Sequence, residues 1–196
     1  MFSSCKEALD QNGRADLYYN IKHGNMVSSV QVKCKQIGAS YVALFDHSQE
    51  QRTKVKGFES CASYSKSITY SVNKLADIRA FASSSASCKQ HTKAECTGVY
   101  FRQTCGYLVG SDSKKLAYWG GGPTNGVGCA CGITNTCHNR ATKCNCDANI
   151  ETIQLMDQGY LTDKSVLPII QVKFGDTGGA AECLYYTLGK LECTEN

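Results

Sequence analysis

Thirteen cysteines in 196 residues constrain this chain more than any other feature. Five of them fall within eighteen residues, in Cys129-Ala-Cys131-Gly-Ile-Thr-Asn-Thr-Cys137-His-Asn-Arg-Ala-Thr-Lys-Cys144-Asn-Cys146. A reduced cytosolic domain rarely carries so many thiols, so the density points to an oxidising compartment. Cross-links suit a Gly-rich, irregular segment that buries little apolar area, and each adds roughly 2–4 kcal/mol by constraining the unfolded chain. The count is odd, so a fully oxidised monomer keeps at least one sulfur free or paired with another chain. A disulfide-linked dimer is therefore allowed.

Spacing weighs bridges against metal and catalysis. On a strand, both sulfurs of a C-x-C pair project from one face, because side chains alternate. Cys129/Cys131 and Cys144/Cys146 are expected to face each other around a loop holding Cys137, with two parallel bridges as one arrangement. Other pairings stay open, because sequence does not fix connectivity. Zinc is the rival reading. The five cysteines with His138 exceed four ligands, but the usual C-x2-C spacing is missing and the remaining cysteines lie elsewhere. A thiol enzyme needs a reduced nucleophile beside a base. His23, His47, His91 and His138 read instead as ordinary surface histidines, and C-x-x-C, a Ser-centred elbow and H-E-x-x-H are all absent. The chain is expected not to be an enzyme.

The net charge of +4 is scattered. The pairs Lys33 and Lys35, Lys54 and Lys56, and Lys114 and Lys115 are too short to form a nucleic-acid patch. The longest apolar run, around Val166 to Val172, is broken by Pro168 and Gln171 and falls short of the roughly 18 residues of a membrane span. Met1-Phe2 is followed by Ser-Ser-Cys with no apolar signal core, so a secreted domain here is expected to have lost its signal or to be a piece of a larger ectodomain. Asn135-Thr-Cys137 is the nearest approach to a glycosylation site.

Local patterns predict one strand-rich domain with few helices. Ser4-Cys5-Lys6-Glu7 has capping-box spacing and Gly13 is a stop, so a short helix is predicted near 5–12. Tyr18 to Ile21, Val30 to Cys34 and Tyr41 to Phe45 read as strands, with Val30, Val32 and Cys34 on one face. The stretch 47–60 reads as loop. Ser71 is expected to cap a second helix in which Val72, Leu75, Ile78 and Ala82 share a face, with Phe81 towards the polar side. Short strands are predicted at Val99 to Phe101 and Leu116 to Trp119. An irregular turn is predicted at Gly120-Gly121-Gly122-Pro123, and a helical turn or two within Glu151 to Gly159. Pro168 opens a strand with Ile170, Val172 and Phe174 inward. Gly175 to Gly179 turns the chain, and Leu184 to Leu188 returns as its hairpin partner.

Several stretches line up in one order: Ser4-Cys5-Lys-Glu7, Val30-Gln-Val-Lys-Cys34, Ser87-Cys88-Lys-Gln90 with Cys96, and Tyr118-Trp-Gly-Gly121. Cys129-Ala-Cys-Gly132, Cys144-Asn-Cys-Asp147, Gly159-Tyr-Leu-Thr-Asp-Lys-Ser-Val-Leu-Pro168 and Thr187-Leu-Gly-Lys-Leu-Glu-Cys193 follow. In this order the chain resembles the divergent fibrinogen-like module of contactin-associated proteins and neurexin-IV-type adhesion receptors. It is also similar to modules of cnidarian skeletal-matrix proteins. A weaker similarity, in the opening loop and last strand pair, runs to the C-terminal propeptide of fibrillar collagens. The resemblance spans nearly the whole chain.

It implies an α+β, disulfide-rich fibrinogen-like domain, with a twisted antiparallel sheet, a few short helices and long irregular loops. Residues 1–196 are expected to form that single domain, with a disulfide-closed part at about 1–40 and the sheet core and loop-rich remainder at about 41–196. Bridges are expected among Cys5, Cys34, Cys88, Cys96, Cys129, Cys131, Cys137, Cys144, Cys146 and Cys193, with Cys5–Cys34 and Cys96–Cys193 as two of the pairs. Cys61, Cys105 and Cys183 lack counterparts in the family pattern, and a pair among them leaves one free.

The implied function is a non-catalytic extracellular module for adhesion or matrix assembly, secreted or part of a larger ectodomain. It would bind a protein partner, with neither nucleic acid nor membrane insertion. Tyr118, Trp119, Asn135, His138 and Arg140 are the candidate binding surface. The alternative is a fibrinogen-related lectin that recognises glycans with calcium. Such lectins hold calcium in an acidic run before a cysteine. Here 138–143 is polar to basic, and Asp147 is the lone nearby carboxylate, whereas calcium takes several oxygens. Asp147 therefore reads as a turn residue, and no metal or other cofactor is expected.

Overall fold

A computed structural model describes residues 1–24, 26–124 and 126–195. Helix α1 (Cys5–Asn12) starts at Ser4, whose side chain accepts a hydrogen bond from Glu7 N. It stops at Gly13, which takes the left-handed φ of 62° that glycine tolerates. Alternating apolar residues then form β1 (Tyr18–Ile21), β2 (Val30–Ile37) and β3 (Ser40–Phe45), paired antiparallel in that order. Ile21, Val30, Val32, Cys34 and Phe45 are fully buried on one face.

The next stretch departs from expectation. The loop of residues 47–60 contains a short strand, β4 (Thr53–Val55), and β5 (Tyr64–Ser67) follows it. Helix α2 (Leu75–Ser84) begins after Lys74, not at Ser71, which sits at a left-handed φ of 41° and does not cap it. Its buried stripe is Ile78, Phe81 and Ala82, while Val72 lies outside the helix and is 72% exposed. Phe81 and Ala82 lie three and four residues after Ile78 and share its buried face, and the Phe81 ring meets Phe45 edge-on at 5.3 Å.

The rest of the chain comprises β6 (Ser87–Thr97), α3 (Arg102–Cys105), β7 (Tyr107–Gly110) and α4 (Ala130–Thr134). A 3-10 turn (Cys146–Ala148), β8 (Leu155–Leu161), β9 (Ile169–Phe174) and β10 (Cys183–Thr194) complete it. Seven strands form the main sheet in the order β1-β2-β3-β10-β6-β8, with β4 also paired to β10. A second sheet has the order β5-β9-β7. All of these pairings are antiparallel.

Three predicted segments are corrected by the structure. Glu151 to Gly159 is not helical, since Leu155–Leu161 is an edge strand on β6. The strands predicted at Val99 to Phe101 and Leu116 to Trp119 are irregular segments, in which Val99, Phe101, Leu116, Tyr118 and Trp119 are nevertheless buried.

The predicted hairpin is also corrected: β9 and β10 lie in different sheets. The turn after β9 is drawn onto residues 57–59 instead, where Gly57 N donates to Thr177 O, Thr177 N to Phe58 O and Asp176 N to Glu59 O. Gly175 passes so close to Cys61 that an added Cβ would lie 2.7 Å from its Cα. Inward residues of the two strands then meet across the layers, with Phe174 and Tyr186 ring centroids 5.2 Å apart. Ile169, not Ile170, is buried with Val172 and Phe174, because the β7–β9 register shifts at Val109/Gly110.

Six disulfides tie these layers. Cys5–Cys34 fixes α1 on β2, and Cys61–Cys105 joins the segment before β5 to α3. The expected Cys96–Cys193 pair is corrected to Cys96–Cys146 and Cys88–Cys193. Register supplies the reason. Cys193 lies directly opposite Cys88 on the β6–β10 ladder, while Cys96 lies opposite Leu184 near the ladder's other end. Cys183 is left as a free, half-buried thiol. Among the described residues, no helix is long and apolar enough to cross a membrane.

Candidate functional site

The cysteine cluster is built around turns, not strands. Cys129 caps α4 and Cys131 lies within it. On a helix, residues two apart point to different sides. The nested ladder is therefore replaced by Cys129–Cys144 and Cys131–Cys137, and Cys146 turns away to Cys96. Asp157 on β8 anchors the second arm. Its carboxylate accepts from Asn145 N at 3.0 Å and Cys146 N at 2.9 Å. Burial raises its pKa, and the two N–H donors oppose that rise. Asn145 adds a bond to Met156 O, and its Oδ1 accepts from His138 N.

This frame positions the wall of a cleft. Cys129 N donates to Lys143 O, Gly128 N to Ala117 O and Trp119 N to Gly128 O, so the segments 117–119, 128–129 and 143–144 are tied together. Gly128 makes the close approach possible. Its φ is +113°, and a Cβ there would sit 2.7 Å from Lys143 Cβ. On the opposite side, Gly106 lies against the Phe101 ring, where a Cβ would meet Cδ1 at 2.7 Å. Phe101 packs edge-on to Trp119 at 5.0 Å, and both rest on Phe174 at 6.0 Å.

The cleft between these walls has a volume of about 450 Å³. Phe101, Tyr107, Leu116, Trp119 and Val127 supply its apolar lining, and Lys143 and Asp147 its charge. Val127 is 47% exposed at the rim. That volume lies within the roughly 300–1,000 Å³ of ligand pockets.

Of the predicted surface, Tyr118 and Trp119 line this cleft. They are only 7% and 4% exposed, so they belong to its wall more than to a projecting face. Tyr118 OH and Trp119 Nε1 are buried without a hydrogen-bond partner among the described residues. Burial, helped by the charges of Asp163 and Asp112, pushes the Tyr118 phenol up to about 12, so it stays protonated at neutral pH. Asn135, His138 and Arg140 are exposed on the loop above and do not line the cleft. Asn135 is the left-handed cap of α4. Sequence reasoning missed Phe101, Val127 and Lys143 as a set. They come from separate segments, brought together by the glycine contacts, the Cys129–Cys144 bridge, the backbone hydrogen bonds and the Phe101–Trp119 packing.

Among the described residues, Cys129, Cys144 and Asp157 form one group whose ligand atoms lie within 4.8 Å of one another. Both sulfurs are consumed in their mutual bond, and the carboxylate is held by two amides, so the set does not fit zinc. Asp147 lines the cleft and adds its charge to that felt by Asp157.

Comparison with known proteins narrows the reading. The chain is 33% identical over 164 residues to Neurexin-4 of Drosophila melanogaster, covering 78% of this chain and 12% of that protein. The homology supports a neurexin/contactin-associated-protein-like domain. It is 29% identical over 152 residues to contactin-associated protein 1 of Rattus norvegicus and of Homo sapiens, covering 75% of this chain and 11% of each relative. The chain thus spans about an eighth or less of the length of these curated relatives. No protein-family model matches it. A neurexin/contactin-associated-protein-like domain with six disulfides and a mainly antiparallel sheet is consistent with an extracellular setting.

Proposed function

We propose that the chain is a non-catalytic extracellular adhesion or matrix module that binds protein partners, fibrinogen-like in affiliation. The observation that carries this reading is the cleft of about 450 Å³, held rigid by the Cys129–Cys144 bridge, in a chain similar to neurexin-4. A preformed, cross-linked wall loses little conformational freedom on binding, which favours affinity. The aromatic lining offers the kind of anchor pocket in which interface hot spots concentrate. Asn135, His138 and Arg140, exposed on the loop that ends at Lys143, are assigned to the same binding surface as polar contacts.

The name contactin-associated protein attributes association with contactin to two of the relatives. A contactin ectodomain is therefore the first partner to try, within a panel of extracellular ectodomains. Surface plasmon resonance should show saturable binding to at least one of them. Val127→Asp should weaken that binding about tenfold or more, the scale of a lost hot spot. Val127 is exposed at the rim, so the fold should survive the change. A chelator should leave the binding unchanged. Glycan-array binding that disappears with chelator, with no ectodomain bound, would replace this reading with the calcium-dependent lectin.

A further inference from the structure

The cleft joins an apolar interior to cations that have no ion-pair partner among the described residues. Lys143 lines it, is exposed, and makes no ion pair among the described residues. A second cation stands at the Tyr107 wall of the cleft. Lys115 Nζ lies 4.3 Å from the ring centroid of Tyr107, a lining residue, and has no carboxylate partner among the described residues. Neighbouring Lys114 differs, since it pairs with Asp112 at 3.6 Å. The one carboxylate in the lining, Asp147, lies close enough to Asp157 for its charge to act there. The wall residues Tyr118 and Trp119 carry a buried O–H and N–H with no acceptor among the described residues.

We propose that the cleft docks an acidic–apolar segment of the partner protein. An aliphatic or aromatic side chain enters between Phe101, Trp119 and Val127, and a neighbouring Asp or Glu carboxylate pairs with Lys143 and Lys115. This inference rests on the protein-binding reading above and gives that partner its chemistry. Both cations are exposed, so their contribution is a selectivity among apolar ligands more than the bulk of the affinity.

Trp119 is the sole tryptophan of the chain, so its emission reports the cleft directly. Three probes with one apolar body separate the charge effect: 4-phenylbutyrate, 4-phenylbutanol and 4-phenylbutylamine. All three should perturb Trp119 emission saturably, with the carboxylate binding roughly two- to fivefold tighter than the alcohol, the scale of exposed ion pairs, and the amine weakest. In the Lys115→Glu/Lys143→Glu variant the order should invert. Near-UV circular dichroism and an unchanged melting temperature would certify its fold. Three outcomes would overturn the proposal: an amine that binds as tightly as the carboxylate, an order unchanged in the variant, or no saturable response to any probe. N-acetylglucosamine perturbing Trp119 while the phenyl probes do not would overturn it in favour of a glycan. An anion preference that holds while every ectodomain fails to bind would instead sink the protein-binding reading and leave the cleft chemistry standing.

Discussion

Replacing both Cys88 and Cys193 with alanine is expected to lower the melting temperature by about 10–20 °C. Their sulfurs bond across the centre of the main sheet and close the longest covalent loop in the chain, a sequence separation of 105. Loop-closure entropy for that length is about 4.7 kcal/mol, against about 2 kcal/mol for the separation of 6 closed by Cys131–Cys137. A chain of this size loses roughly 2–4 °C per kcal/mol. Both cysteines are buried, at 3% and 0% exposure, so alanine introduces no polar group to confuse the result. Calorimetry on the two double variants checks the order. Cys131→Ala/Cys137→Ala should shift the melt by less than half as much.

The second large effect is expected at Gln90. This side chain is fully buried at the centre of β6. Its amide nitrogen donates to Tyr70 OH at 2.8 Å and Gly189 O at 3.0 Å, and its oxygen accepts from Ile169 N at 3.0 Å. Gln90 thereby ties the main sheet to the first residue of β9 in the second. Gln90→Met keeps the volume but strands the Ile169 N–H, since Tyr70 OH still donates to Ile169 O and Gly189 O still meets His47 Nε2. The expected loss is about 2–3 kcal/mol, mainly one orphaned buried donor plus weakened neighbours. Hydrogen exchange at Ile169 should accelerate with it. An unchanged stability would mean that the two sheets do not depend on this polar tie.

These same residues explain what the sequence could and could not show. α1 was legible because Ser4, Glu7 and Gly13 act within one helix, and β1 to β3 because their inward residues are apolar. β6 was invisible, although it lies at the centre of the main sheet. Its inward residues are Cys88, Gln90, Thr92, Ala94 and Cys96, so burial there runs on hydrogen bonds and sulfur and leaves no hydrophobic alternation. Thr92 Oγ1 accepts from Gly120 N, another inward contact with no pattern signature. β8 was hidden in the same way, because Asp157 faces inward to hold the turn at Asn145 and Cys146. The apparent hairpin of β9 and β10 failed because a turn signal says that the chain bends, and not which strand it next joins.

The site was legible in part for a related reason. Tyr118 and Trp119 stand out as an aromatic pair beside glycines, and the cysteine cluster beside them marks a stapled segment. The cleft itself depends on Gly128 approaching Lys143 and on Gly106 lying against Phe101, contacts between segments far apart in the chain. The sulfur partners likewise depend on register. Cys193 meets Cys88 because the two strands pair there, a relation that cysteine spacing does not contain.

The cysteine cluster is cross-linked as a covalent frame for the cleft, with its sulfurs spent in bridges. Alkylation of the native, unreduced protein followed by peptide mapping tests it most directly. The predicted result is one labelled cysteine, Cys183, with Cys129 recovered linked to Cys144, Cys131 to Cys137 and Cys96 to Cys146. Labelling of both Cys129 and Cys144 in the folded chain, with zinc retained by the protein, would contradict it.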